Sequence, residues 1–269
     1  MEIIGYIASV LIGVSLGLIG GGGSILTVPV LVYLFAIDPV MATGYSLFVV
    51  GSTSLAGAIT KYNQGLINFK TAFIFAIPAV TAVLITRRFL LPAIPKTLFT
   101  IDNFTATKSL LLMIVFALLM VFASVSMIRN NGKVVEKEVS KESSGKHYNY
   151  LMIFLQGIFV GFITGLVGAG GGFLIIPALV IFSKLPMKQA VATSLFIIAI
   201  NNLIGFFSSP ALHEIDWTLL LIVTGLAIAG IFVGNWLSHK ISGEKLKKTF
   251  GWFVLFMGIY IIIREIFFP

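Results

Sequence analysis

Long apolar runs alternate with short polar breaks along this chain, and only one polar stretch is long. It runs from Arg129 to Tyr148 and carries Lys133, Glu136, Lys137, Glu138, Lys141, Glu142 and Lys146 among serines and glycines. Such a charge-rich stretch reads as a solvated linker. The apolar sequence before it divides into five segments, roughly 3–20, 24–36, 41–60, 70–91 and 106–128. After it come five more, roughly 150–168, 172–183, 188–208, 217–238 and 248–267. The pattern predicts a first membrane repeat over 1–128, the linker over 129–148 and a second repeat over 149–269. A helix of about 18 apolar residues or more can cross a bilayer, so the chain reads as an all-α integral membrane protein.

The second segment of each half is short. About 12 residues make roughly 18 Å of helix, too little to cross a core of about 30 Å upright. Each of these segments is preceded by a glycine run. The first sentence reads Gly17-Leu18-Ile19-Gly20-Gly21-Gly22-Gly23-Ser24, continuing to Pro29. The second reads Gly165-Leu166-Val167-Gly168-Ala169-Gly170-Gly171-Gly172, continuing to Pro177. Glycines in series break a helix, and a break at membrane depth must be buried or line a cavity. Paired breaks at matching places in two halves point to a transporter's binding site.

The two sentences stand at a constant offset of 148 residues. At that offset Gly13 pairs with Gly161, Leu31 with Leu179 and Ala42 with Ala190. Ser46-Leu47-Phe48 pairs with Ser194-Leu195-Phe196, and Gly57 with Gly205. This predicts an internal duplication. If the first two segments of each half form one broken span, the halves run parallel and the 18 lysines and arginines divide ten against eight. If they form a hairpin, the halves are inverted. The division is then thirteen against five, with only Arg87, Arg88, Lys96, Lys108 and Arg264 opposing the rest. The positive-inside rule favours inverted repeats with a cytoplasmic linker.

Composition agrees with the membrane reading: 58% of residues are hydrophobic and 10% charged, with a mean hydropathy of +1.06. Soluble domains carry about 25% charged residues. The net charge of +8 is assigned to cytoplasmic loops facing acidic headgroups, and no nucleic-acid surface is expected because the aromatics lie within apolar segments. The chain has no cysteine, which excludes thiolate metal sites and cysteine nucleophiles. Residues 3–20 lack a basic leader, so they are read as a retained helix.

Candidate chemistry is concentrated in the breaks and the third segments. Backbone N–H groups of Gly21, Gly22, Gly23 and Ser24, and of Gly170, Gly171, Gly172 and Phe173, could form a positive nest for an anion, and Gly20 joins these glycines in the candidate set. The bland alternative is close helix packing at Gly13 and Gly17, or Gly161 and Gly165. The third segments carry Thr43, Ser46, Ser52, Thr53 and Ser54 in the first copy, and Thr193, Ser194, Asn201 and Asn202 in the second. Ser46, Thr53, Ser194, Asn201 and Asn202 join the candidate substrate-binding set. Interhelical hydrogen bonding would explain the same residues. Lys61, Arg87 and Arg88 lie near segment ends, where snorkelling is the expectation. No acidic residue stands mid-span, so no proton or sodium carrier is named, and a coupling ion and the oligomeric state stay open.

The paired glycine motifs, Ala-Thr-Gly-Tyr-Ser-Leu at 42–47, Ala-Val-Ala-Thr-Ser-Leu at 190–195 and Gly230-xxx-Gly234-Asn235 resemble the sulfite exporter TauE/SafE family, also called the toluene sulfonate uptake permease family. The resemblance covers the chain outside the linker. It implies transport of a small sulfur-containing or organic anion across the plasma membrane, with no cofactor. One departure stands out: Arg87-Arg88 is taken as the partner of Gly234-Asn235, where a small residue is expected. An anion channel is the alternative. An intramembrane enzyme is disfavoured, since the three histidines are scattered and no HExxH or Gly-x-Ser-x-Gly occurs.

Overall fold

The computed structural model describes residues 2–95, 97–101, 104–129, 150–167, 171–181, 183, 185–208, 215–238 and 243–267. Helix α1 (Glu2–Ile19) is followed by a 3-10 turn (Gly21–Leu26) and the short α2 (Thr27–Tyr33). Then come α3 (Pro39–Asn63) and α4 (Phe69–Ile85), which continues through a π-helical turn at Thr86–Leu90 to Ala93. The first half ends with α5 (Lys108–Arg129). The second half holds α6 (Tyr150–Val167), the short α7 (Gly172–Ile181), α8 (Met187–Phe207), α9 (Trp217–Leu237) and α10 (Gly243–Phe267). All ten apolar segments are therefore helical. The chain is an all-α membrane protein, and among the described residues four helices are long and apolar enough to cross a bilayer: Pro39–Tyr62, Phe69–Ala93, Met187–Phe207 and Trp217–Leu237. The linker lies outside the described residues, apart from Arg129.

Local chemistry sets the helix starts. The Asp38 carboxylate accepts from the Val40 and Met41 N–H groups, with Pro39 at the first helical position of α3. Asn68 caps α4 by accepting from Thr71 N–H, and Asp216 caps α9 by accepting from Thr218 and Leu219. One element is new relative to the sequence reading. A two-stranded antiparallel hairpin, β1 (Thr97–Ile101) with β2 (Phe104–Thr107), precedes α5. Its β-branched threonines favour a pleated strand, and α5 starts after it rather than at 106.

The halves interlock. Helix α1 packs along α9, and α6 packs along α4. Helix α3 packs on α8, α5 on α10, and α7 against the 3-10 turn. Small residues allow the long contacts: a Cβ added at Gly13 would strike the Ala227 carbonyl, and one at Gly161 the Ala79 carbonyl. Helices α3 and α8 lie antiparallel, since Leu47 meets Gly205, Gly51 meets Leu203 and Gly57 meets Leu195.

This packing corrects two expectations. A Cβ at Gly17 would meet Ile231, Gly234 and Asn235, and one at Gly165 would meet Val83 and Thr86. Thr86-Arg87, not Arg87-Arg88, thus stands where Gly234-Asn235 stands, as the offset of 148 residues itself requires, and the expected small residue is Thr86. Arg87 also does not snorkel. It is 1% exposed, because the face of α4 that carries it is covered by α6. Lys61 is 9% exposed, and only Arg88 of the three reaches the surface.

Candidate functional site

At the first break α1 ends at Ile19, and Gly20 adopts φ +74°. The chain re-enters as the 3-10 turn, inside which Ser24 Oγ donates to Gly21 O at 2.7 Å. At the second break α6 ends at Val167 and Gly171 adopts φ +61°. Gly171 O then accepts the Leu174 and Ile175 N–H groups at the start of α7. Both left-handed positions suit glycine and strain any other residue. Gly170 lies outside the described residues. The breaks touch: a Cβ at Gly21 would run into the Cα of Gly172, and one at Gly172 into the Cα of Gly21. Backbone-on-backbone contact accounts for these two glycines, as conformation accounts for Gly20 and Gly171. Gly23 packs on Ser15 and Leu16 of α1, and Gly22 lies within the 3-10 turn.

Helix α8 lies over the breaks. A Cβ at Gly20 would stand 2.9 Å from Val191 Cγ1, and one at Gly172 would stand 2.6 Å from Ile198 Cδ1. Asn201 and Asn202 follow one helical turn after Ile198, on the same side of α8. Across from them on α3 lie Thr53 and Ser54, beside the Gly51–Leu203 contact. Thr53, Ser54, Asn201 and Asn202 are all 0% exposed. Thr53 Oγ1, Ser54 Oγ, Ser46 Oγ and the amide oxygens and nitrogens of both asparagines find no hydrogen-bond partner among the described residues. Each such buried group costs about 1–3 kcal/mol if left unmet. Buried polar groups are otherwise nearly always paired, so a cluster of unmet ones at membrane depth is unusual.

The candidate residues therefore divide. Ser24 and Ser194 spend their hydroxyls locally, the second donating to Val191 O at 2.8 Å. Ser46, Thr53, Asn201 and Asn202 hold uncommitted groups. The structure adds Thr164, a buried threonine of α6 packed on Gly171 with its Oγ1 uncommitted. Its position in the last turn before a glycine run was the available signal. Asn235 Oδ1, beside Gly17, is likewise buried and without a described partner. Arg87 is the larger addition. Its Nε donates to Gly165 O at 3.1 Å, at the end of α6, and its Nη2 donates to Thr43 Oγ1 at 2.9 Å, at the start of α3. Carbonyls at a helix C-terminus suit a cation.

Residues 6–261 match the family described as Sulfite exporter TauE/SafE. A probable membrane transporter protein of Xylella fastidiosa (strain 9a5c) is 30% identical, over 95% of this chain and 92% of its own length. The probable membrane transporter protein YunE of Bacillus subtilis (strain 168) is 28% identical, over 91% and 89% respectively. No solved structure matches. Buried breaks, apolar helices and this coverage agree: the chain is a multi-pass cell-membrane transporter rather than an enzyme, and it belongs to the sulfite exporter TauE/SafE family.

Proposed function

We propose that the protein is a secondary transporter of a small anion, sulfite, a sulfonate or a related sulfur-containing or organic anion, received between α3, α8 and the two glycine breaks. The uncommitted hydroxyls and amides of Thr53, Ser54, Asn201 and Asn202 carry this reading, because their O–H and N–H groups can replace an anion's water. Magnitudes require such help. A helix terminus contributes only about 0.3–1 kcal/mol to an anion. Stripping water from a full charge costs far more.

The same proposal includes inverted halves and a cytoplasmic linker. The antiparallel run of α3 and α8 supports inversion, since halves related by translation would set these helices parallel. The reciprocal pairing of α1 with α9 and of α6 with α4 fits a two-fold relation between the halves. Arg87 is buried in protein and so leaves the count of outer-loop charges, which sharpens the charge asymmetry.

The test is flux in proteoliposomes loaded with sulfite, sulfate, thiosulfate, a sulfonate or a small carboxylate. Saturable flux with counterflow of one sulfur oxyanion class is expected. Flux that neither saturates nor shows counterflow would replace the carrier by a channel, and carboxylate flux alone would remove the sulfur anion.

A further inference from the structure

We propose that two matched clasps, one at each end of the α3–α8 pair, are the gates by which the anion enters and leaves. This deepens the carrier reading and rests on it. At one end the Asn68 N–H donates to Thr193 Oγ1 at 3.0 Å, and at the other the Asp216 N–H donates to Tyr45 Oη at 2.6 Å. An aromatic contact sits beside each. Phe69 meets Phe196 edge to face at 5.4 Å between ring centres, and Trp217 meets Phe48 in the same way at 6.0 Å. The offset of 148 residues carries Tyr45 to Thr193, Phe48 to Phe196, Asn68 to Asp216 and Phe69 to Trp217. The clasps are thus one construction made twice, and each joins one half of the chain to the other.

Their position fits a gate. Tyr45 stands near the start of α3 and Asn68 just past its end. From Tyr45 to Asn63 the helix rises about 27 Å, close to the thickness of a hydrocarbon core. Thr53 lies about 12 Å of helix beyond Tyr45, and Asn201 about 12 Å beyond Thr193, so the polar cluster falls between the clasps. Their chemistry fits one too. The Asn68 side chain accepts from Thr71, and that of Asp216 from Thr218 and Leu219. Helices α4 and α9 therefore keep capped starts when a clasp parts. The N–H given across the halves has no partner within its own helix. Asn68 is half-buried and Asp216 exposed, so water takes up the freed group and opening costs little. Both clasps are made in this structure. A carrier opens its site to one face at a time. One clasp must then hold while the other parts, and weakening one favours the state open at that face.

The chain's lack of cysteine makes the test direct. Asn68→Cys with Thr193→Cys is oxidised to a disulfide, and Tyr45→Cys with Asp216→Cys is joined by a short bismethanethiosulfonate. Either lock should stop sulfite flux in proteoliposomes. A reductant should restore it, which also shows that the variants are folded. A second measurement needs no substrate. Spin labels are placed by Gln64→Cys and Met187→Cys, at exposed positions near the Asn68–Thr193 clasp. Thr193→Val should raise the population with parted labels about fivefold, the worth of one net hydrogen bond. Thr193→Ser should leave it unchanged, and adding Tyr45→Phe at the far end should reverse part of the rise. Flux untouched by either lock would overturn the proposal and leave the clasps as static ties. So would a label distance in Thr193→Val protein that ignores Tyr45→Phe. The expected label response without sulfite flux in unlocked protein would uphold the gates and remove sulfite as the cargo.

Discussion

Gly21 and Gly172 meet backbone to backbone, the first from the turn after α1 and the second from the start of α7. Neither has room for a single added carbon. The two halves of the chain thus touch at the point where each is broken.

Gly21→Ala and Gly172→Ala are therefore expected to lose folded protein, not just transport. Overpacking of a fixed backbone contact costs about 1–3 kcal/mol, and here neither side can yield by rotating a side chain. Gly65→Ala is the comparison. Gly65 has φ +67° with nothing within 4 Å, so only conformational strain of roughly 1–2 kcal/mol applies. Thermal unfolding monitored by size-exclusion of detergent-solubilised protein would rank the three. Gly65→Ala as damaging as the other two would show that contact is not what they lose.

Two glycines on α9 should respond with opposite sign. A Cβ at Gly225 meets nothing within 4 Å, whereas one at Gly230 strikes the Val10 carbonyl. Gly225→Ala should raise stability by about 0.5–1 kcal/mol through helix propensity, with flux unchanged. Gly230→Ala should separate α9 from α1 and lower the melting temperature. Similar melting temperatures for the two variants would contradict the packing described for α1 and α9.

Asn201→Leu and Asn202→Leu should abolish flux while leaving the melting temperature unchanged or raised. Replacing an uncommitted buried amide by an apolar group of similar size removes an unmet desolvation cost. If the amides instead bridged helices, both variants would be destabilised by about 1–2 kcal/mol. Melting curves and flux on the same preparations separate the outcomes.

Cysteine placed at Ser143 or Ser144 should be labelled only after the membrane is opened, as a cytoplasmic linker requires. Labelling in intact cells would reverse the orientation.

The helices were legible because apolar length is a one-dimensional quantity. Segments such as 70–91 and 217–238 show their ends as polar breaks, whereas the capping of helix starts by Asp38, Asn68 and Asp216 came from the structure. What faces what was not legible. Position along a helix places Arg87 near an end, and from that alone snorkelling follows. Its burial depends on α6 lying across that face of α4. The same limit applied to the glycine runs. Sequence could not separate Gly20 and Gly171, fixed by conformation, from Gly21 and Gly172, fixed by contact. The asparagines were visible as costly residues, whereas their grouping with Thr53 and Ser54 needed the antiparallel contact of α3 and α8.

The crossed pairing of α1 with α9 and of α6 with α4 has a consequence for biosynthesis. Helix α1 is made before its partner α9, with the rest of the first half and α6, α7 and α8 between them. Until then the groove at Gly13 and Gly17, shaped for another backbone, faces lipid or a chaperone. A ribosome that stops after the linker leaves a product whose first helix has no mate. Two fragments split at the linker should therefore rescue each other only when made in the same cell.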